Sequence, residues 1–129
     1  MNLTLLRLLI SLCGAHHIDP FLAESIIKVE SNWDNGVIGQ ANERGLFQIN
    51  PTSFRNLSID ELRSPETNLK LGVEYLVGMK RHCSLQEKDS WIICFNRGLF
   101  GGSKVKNYHQ DKYYKSVMQE YNKLIGGQL

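Results

Sequence analysis

The sequence has 129 residues, of which 42% are hydrophobic and 22% charged, so it is long enough to bury a core without a disulfide lattice or a structural metal. This length and composition predict one domain over residues 1–129 and exclude a wholly disordered chain. The net charge of +2 comes from 15 basic and 13 acidic residues. They are spread along the chain without a basic stripe, which excludes a dedicated nucleic-acid binder.

The first apolar run, Leu3 to Leu12, predicts a helix of the fold and not a secretory signal. Arg7 lies inside this run, and the residues around Cys13 lack the small-x-small pattern of a cleavage site. No uncharged run approaches the ~20 apolar residues that a membrane span requires. The sequence therefore predicts no membrane span and gives no export signal.

The three cysteines, Cys13, Cys83 and Cys94, are odd in number and show no C-x-x-C spacing. This pattern supports neither a disulfide framework nor a zinc site. Buried free thiols are the favoured interpretation, and a bridge between Cys83 and Cys94 is the alternative.

Each of the three prolines follows a residue that caps helix N-termini well. A side-chain oxygen at the cap accepts free N–H groups, and proline at the first helical position has no N–H that needs a partner. A helix start is therefore predicted at each of three pairs, Asp19-Pro20, Asn50-Pro51 and Ser64-Pro65.

Apolar residues at helical spacing predict long helices after Asp19, after Ser64 and at the C-terminus. Their stripes are Leu22, Ile26, Val29 and Trp33; then Leu69, Val73, Leu76 and Val77; and finally Tyr113, Val117, Tyr121 and Leu124. A short helix is predicted across Glu87 to Arg97, opened by a capping box of Ser84 with Glu87. Strand alternation is nearly absent. The predicted fold class is mainly α, with at most a small β-hairpin near 35–50.

Glu30 falls in the last turn of the helix that follows Asp19, beside the apolar Ile26, Val29 and Trp33. Removal from water raises the pKa of a carboxyl, and the partial negative charge of a helix C-terminus acts in the same direction. A general acid needs such a raised pKa to hold its proton near neutral pH. A glutamate near a helix end is more often a solvated or capping residue, so the catalytic hypothesis depends on the motifs around it.

Four motifs supply that context. They are Glu30-Ser31-Asn32-Trp33, then Gly45-Leu46-Phe47-Gln48-Ile49-Asn50-Pro51, then Asn68-Leu69-Lys70-Leu71-Gly72-Val73-Glu74-Tyr75-Leu76, and Phe95-Asn96-Arg97-Gly98. In this order and at these spacings the chain resembles the lytic transglycosylases of the soluble (SLT) type, from about Ile10 to Tyr121. It is most similar to the short members that bacteriophages carry or that accompany secretion and conjugation machines.

The resemblance implies a lysozyme-like helical domain that acts on peptidoglycan glycan strands without a metal or an organic cofactor. Such enzymes cut the bond between N-acetylmuramic acid and N-acetylglucosamine and leave 1,6-anhydro ends. By resemblance, Glu30 is the single catalytic residue. It first protonates the glycosidic oxygen and then takes the proton of the sugar's own C6 hydroxyl as that oxygen closes onto C1.

The other motif residues are predicted in the substrate groove by the same resemblance. Ser31 helps to position the acid. Gln48 and Asn50 stand at alternate positions, so an extended segment points both amides to one face, where they suit sugar hydroxyl and acetamido groups. Asn50 is equally a cap for the helix at Pro51. Tyr75 is either a groove or a core residue, and Asn96 is a groove residue.

One position departs from the family pattern. Where the family usually has Ala-Tyr-Asn-x-Gly, this chain has Cys94-Phe95-Asn96-Arg97-Gly98. Phe95 keeps the ring in the groove and lacks the hydroxyl. The polar contact is therefore either absent or supplied by another residue such as Tyr75 or Tyr108.

A second carboxylate has three candidates, Asp34, Glu43 and Asp60. Asp34 follows Glu30 by four residues, so on a shared helix face its like charge would raise the pKa of Glu30. The favoured interpretation makes all three solvated loop residues. A single carboxyl fits a transglycosylase better than a glycosidase with two carboxylates.

Two alternative functions stay open: a muramidase, in which water replaces the C6 hydroxyl, and a noncatalytic glycan-binding or assembly module with the same fold. The enzyme is expected to act at the cell wall, in the periplasm. Since no export signal is evident, the expected source is a bacteriophage, with the protein in the virion or acting as an endolysin for entry or host lysis. A secretion or conjugation machine is the next expectation.

Overall fold

The computed structural model describes residues 2–126, in which the chain folds into seven α-helices. The helices are α1 (Leu3–His16), α2 (Pro20–Glu30), α3 (Ile59–Arg63), α4 (Pro65–His82), α5 (Ile92–Arg97), α6 (Leu99–Gly102) and α7 (Lys112–Gly126). Short 3-10 turns lie at Pro51–Ser53, Glu87–Asp89 and Tyr108–Gln110. Residues 1 and 127–129 of the predicted domain lie outside the described residues. The mainly α prediction is confirmed.

The predicted helix starts are confirmed because the chemistry that caps them is local. The Asp19 carboxylate accepts the N–H of Phe21 at 2.9 Å and begins α2. Ser64 caps α4 with its hydroxyl in the same way. Asn50 caps only the 3-10 turn Pro51–Ser53, so this third start opens a short element.

The long helices pack in pairs, α2 against α7 and α1 against α4, around one core. Fully buried side chains from α1, α2, α4 and α5 fill that core, among them Leu9, Leu22, Ile26, Leu69, Leu76 and Ile92. The α2–α7 pair brings the C-terminal helix to the end of α2. Within residues 2–126, none of the helices is long and apolar enough to cross a membrane.

The segment 35–50 is an ordered loop in which no β-hairpin ladder forms. Two isolated antiparallel bridges join Ile38 to Arg44 and Arg44 to Ile49. The buried Asn68 of α4 anchors the loop, because its side chain accepts the N–H of Phe47 at 2.8 Å and donates to the carbonyl of Arg44 at 2.8 Å. These bonds hold the loop against α4.

The predicted helix across Glu87 to Arg97 is wrong in its first half. Lys88 and Asp89 have φ values of 49° and 62°, in the left-handed region, so the helical path is interrupted there and α5 begins only at Ile92. The predicted capping box is absent from this region as well. The Ser84 hydroxyl instead donates to the carbonyl of Ser103 at 2.7 Å.

The favoured interpretation of three free thiols is wrong for two of them. Cys83 at the end of α4 and Cys94 in α5 form a disulfide bond. Packing of α5 against α4 brings their Cα atoms to 6.1 Å, a separation that a disulfide spans without distortion of the backbone. Cys13 is a buried free thiol, as predicted.

Candidate active site

A cavity of about 180 Å³ opens where α2 ends against the loop 35–50, α4 and α5. Its lining combines polar side chains with three aromatic rings, those of Phe54, Tyr75 and Phe95. The residues that line it are Glu30, Glu43, Gln48, Ile49, Asn50, Ser53, Phe54, Tyr75, Phe95, Asn96, Arg97 and Gly98. Glu30 is the last residue of α2, which places its carboxyl at the cavity and not in the helix body.

The structure brings six of the seven predicted site residues to this cavity: Glu30, Gln48, Asn50, Tyr75, Phe95 and Asn96. Ser31 is the exception. It is buried, and its hydroxyl donates to the carbonyl of Leu46 at 2.8 Å, which joins the end of α2 to the loop 35–50. Ser31 therefore fixes the position of its neighbour Glu30 without lining the cavity.

Burial raises the pKa of Glu30 from its ordinary 4.5 to about 7. A hydrogen bond from the Tyr113 hydroxyl acts against this rise, and the negative charge of Glu43 adds to it. The predicted direction is confirmed, although the like charge that contributes belongs to Glu43 and not to Asp34. With this pKa the Glu30 carboxyl holds its proton for a large part of the time near neutral pH, as a general acid must.

Tyr113, at the start of α7, was not predicted as a site residue. Its hydroxyl donates to Oε2 of Glu30 at 2.9 Å. Burial and the charge of Glu30 raise the pKa of Tyr113 well above its ordinary value, so the phenol stays protonated and remains a donor. This bond fixes one oxygen of Glu30.

Two of the amides that line the cavity, those of Gln48 and Asn50, are held by different bonds. Gln48 donates through Nε2 to the carbonyls of Val37 at 3.0 Å and Gly45 at 2.9 Å, which leaves its Oε1 as the exposed polar atom. Gln48 has a φ of 52°, in the left-handed region. The prediction of an extended segment is therefore wrong at this residue. Asn50 accepts from the N–H of Thr52 at 3.0 Å, so it is both the predicted cap and a lining residue.

Aromatic rings line part of the cavity. Phe95 packs against the ring of Tyr75 with centroids 5.4 Å apart and against Phe47 at 6.0 Å. Tyr75 also meets Phe54 edge to face, at 6.1 Å. Tyr75 therefore combines both predicted roles, because its ring packs on its neighbours while part of it borders the cavity.

The three candidates for a second carboxylate differ in their exposure and in their position relative to the cavity. Asp34 is exposed and accepts the N–H of Gly36 at 2.9 Å, while Asp60 is exposed on α3. Both are exposed and lie outside the cavity lining, as predicted, although Asp60 belongs to a helix and not to a loop. Because α2 ends at Glu30, Asp34 does not share a helix face with it. Glu43 is different, because it is partly buried and lines the same cavity as Glu30.

Comparison with known proteins identifies the family to which this site belongs. Residues 9–118, most of the chain, match the family described as "Transglycosylase SLT domain". The chain belongs to the SLT transglycosylase family.

Two curated relatives illustrate how much of a longer protein is shared. The chain is 34% identical over 74 residues to endo-type membrane-bound lytic murein transglycosylase A of Klebsiella pneumoniae, across 49% of this chain and 36% of that protein. It is 34% identical over 86 residues to membrane-bound lytic murein transglycosylase E of Buchnera aphidicola, across 57% of this chain and 39% of that protein. The chain thus spans less than two fifths of either relative.

Within this SLT domain, a tyrosine hydroxyl reaches Glu30 although Phe95 has none. Tyr113 supplies a phenol to Glu30, whereas the sequence had suggested Tyr75 or Tyr108. The only sequence signal for Tyr113 was its place on the stripe of the last helix. Its partner lies 83 residues away, so only the packing of α7 on α2 could identify the contact.

Proposed function

We propose that the protein is a peptidoglycan lytic transglycosylase. It cleaves the β-1,4 bond between N-acetylmuramic acid and N-acetylglucosamine and leaves 1,6-anhydro-muramyl ends. The observation that carries the proposal is a partly buried carboxyl, Glu30, at the cavity of an SLT domain, where burial raises its pKa to about 7. The relatives' names, lytic murein transglycosylases, support the same activity.

Glu30 acts twice in the proposed reaction. In the first step its proton moves to the glycosidic oxygen, the C1–O bond breaks, and the electron pair leaves with that oxygen. In the second step the C6 hydroxyl oxygen of the muramyl sugar bonds to C1 and its proton returns to Glu30. Tyr113 holds the carboxyl in one orientation through both steps, which keeps Oε1 available for the sugar.

The remaining lining residues are proposed to bind the glycan. Gln48, Asn50 and Asn96 present amide groups, which offer donors and acceptors to hydroxyl and acetamido groups. The rings of Tyr75 and Phe54 give an apolar wall against which a sugar face packs.

The decisive test is digestion of purified sacculi by the protein and by Glu30→Gln. The variant keeps the size of the side chain and an oxygen that accepts from Tyr113, so we expect it to fold and to release at least ~1,000-fold less muropeptide. Asp34→Asn, an exposed carboxyl outside the cavity, is the matched control and is expected to act like the unchanged protein. Activity retained in Glu30→Gln would contradict the proposal.

The product masses in the same digest separate the alternatives. A transglycosylase releases anhydro products that are lighter by one water than those of a muramidase. Release of reducing-end products would instead identify a muramidase. Binding to sacculi without release by the unchanged protein would identify a noncatalytic glycan-binding module.

The proposed place of action is the bacterial cell wall, in the periplasm. Disulfides persist in oxidising compartments, so the Cys83–Cys94 bond supports this setting. The phage role in entry or host lysis stays a prediction. Phage structural or lysis genes beside its gene would support that role, and genes of a secretion or conjugation machine would contradict it.

A further inference from the structure

Glu43 lies at the active-site cavity and has no role in the reaction described so far. It belongs to the ordered loop 35–50, is partly buried, and lines the cavity together with Glu30. Its charge reaches Glu30, because it contributes to the raised pKa of that carboxyl. A role for Glu43 rests on the proposed function and makes it more specific.

The loop is built to hold the Glu43 side chain in place. Oε1 of Glu43 accepts the N–H of Ala41 at 2.9 Å, and its carbonyl accepts the N–H of Gly39 at 3.0 Å. A Cβ on Gly39 would lie 2.2 Å from Oε1 of Glu43 and 2.8 Å from Oε1 of Gln48. Glycine at this position therefore leaves room for two acceptor oxygens that lie close to each other.

These two oxygens are both acceptors, so neither satisfies the other. Gln48 directs its Nε2 to backbone carbonyls, which fixes its Oε1 toward the Glu43 side. Within residues 2–126, Glu43 forms no ion pair with a lysine, arginine or histidine. The neighbouring Arg44 directs its guanidinium to Asn42 instead. The cavity lining thus holds a carboxylate without an ion-pair partner together with the proton donor Glu30, and the carbonyl dipole of the Gln48 side chain lies near that carboxylate.

We propose that Glu43 is a second catalytic carboxylate, which stabilises the positive charge that develops at C1 and the ring oxygen of the muramyl sugar. Gln48 Oε1 adds its partial negative charge to the same region. No bond forms to Glu43 and no proton passes to it, so the two steps at Glu30 keep their balance. Fixed charges of this kind act strongly in a site from which water is excluded.

The test is the variant Glu43→Gln, assayed for muropeptide release from sacculi across pH. The amide oxygen still accepts from Ala41, so the loop is expected to keep its shape. We expect kcat to fall about 100-fold with little change in KM. The variant lacks the like charge of Glu43, so the pKa of Glu30 is expected to be lower. Because activity requires protonated Glu30, the activity of the variant is expected to decline at a lower pH than that of the unchanged protein. Glu43→Asp is expected to recover part of the rate.

Asp60→Asn is the matched control, because it removes an exposed carboxyl of α3 that lies outside the cavity. It is expected to keep both the rate and the pH profile of the unchanged protein. Glu43→Gln with an unchanged rate would overturn the inference, as would a loss of rate with an unmoved pH profile, which indicates a structural role alone. If the unchanged protein releases nothing, the proposed function fails and this inference fails with it.

Discussion

At the scale of single residues, three influences set the pKa of Glu30, and one of them opposes the other two. Burial and the charge of Glu43 raise its pKa, while the hydrogen bond from Tyr113 lowers it. Burial is the largest of these, which is why the pKa lies near 7 in spite of a donor at 2.9 Å. The carboxyl is thereby able to give a proton and to take one back near neutral pH.

Removal of the Tyr113 hydroxyl therefore has a predictable sign. In Tyr113→Phe the ionised form of Glu30 loses a hydrogen bond, so its pKa is expected to rise above 7. Activity on sacculi should then persist to higher pH, the direction opposite to that expected for Glu43→Gln. The maximal rate is expected to fall about 10-fold, because the carboxyl is less well oriented.

A pH–rate profile of muropeptide release checks this prediction. Tyr108→Phe is the control, because Tyr108 packs against Tyr114 and has no bond to Glu30. A profile for Tyr113→Phe that is unmoved, or that moves to lower pH, would contradict the role given to this hydroxyl.

At the scale of elements, the cavity is assembled by links between segments far apart in sequence. Asn68 fastens the loop 35–50 to α4. The guanidinium of Arg97 at the end of α5 pairs with the buried Asp111 at 2.6 Å, and the second oxygen of Asp111 accepts the N–H of Tyr114 in α7. The wall that carries Phe95 is thereby connected to the helix that carries Tyr113.

The disulfide is the covalent link in this set, and its contribution to stability is measurable. Closing a loop over a sequence separation of 11 residues in the unfolded chain corresponds to roughly 3 kcal/mol of stability. Cys83→Ser is expected to lower the free energy of unfolding by about this amount. Denaturant titration with and without a reductant checks it.

The reductant distinguishes loss of the bond from loss of packing. It should destabilise the unchanged protein and leave Cys83→Ser unaffected. Cys13→Ala keeps the bridge, so its stability is expected to fall further when reductant is added. Equal stability of the oxidised and reduced protein would show that the bond does not stabilise the fold.

At the scale of the whole molecule, the active site lowers stability in a pH-dependent way. Glu30 has a pKa of about 7 when folded and an ordinary value of 4.5. Between these values the folded state binds more protons than the unfolded chain, so the free energy of unfolding falls as pH rises from 4.5 to 7. Above pH 7 the free energy of unfolding stops falling, after a total decrease of roughly 3 kcal/mol.

Glu30→Gln removes this cost and is expected to be the more stable protein at pH 8, by up to roughly 3 kcal/mol. The difference should shrink toward zero near pH 4, where both side chains are neutral. Denaturation of the two proteins at several pH values tests this. Glu74→Gln, at an exposed position of α4, should show no comparable pH dependence. A stability difference that is the same at every pH would contradict the burial assigned to Glu30.

The sequence by itself determined what depends on neighbouring residues. The caps at Asp19 and Ser64, the stripe that becomes α2 and the position of Glu30 at its end were all predictable, because each involves contacts within one or two helical turns. The motifs likewise predicted the lining residues Gln48 and Asn96. Even locally, the left-handed Lys88 escaped prediction, because nothing in its side chain favours that conformation.

Only the tertiary structure decided which distant groups meet. Tyr113 reaches Glu30 from 83 residues away, and Cys94 meets Cys83 because α5 packs against α4. The sequence predicts Glu43 as a solvated loop residue, since its sequence neighbours are polar and glycine-rich. The loop that Asn68 anchors instead carries Glu43 to the cavity that Glu30 also lines. Helices are local and follow from the order of residues, whereas the chemistry of this cavity depends on how those helices and the loop pack.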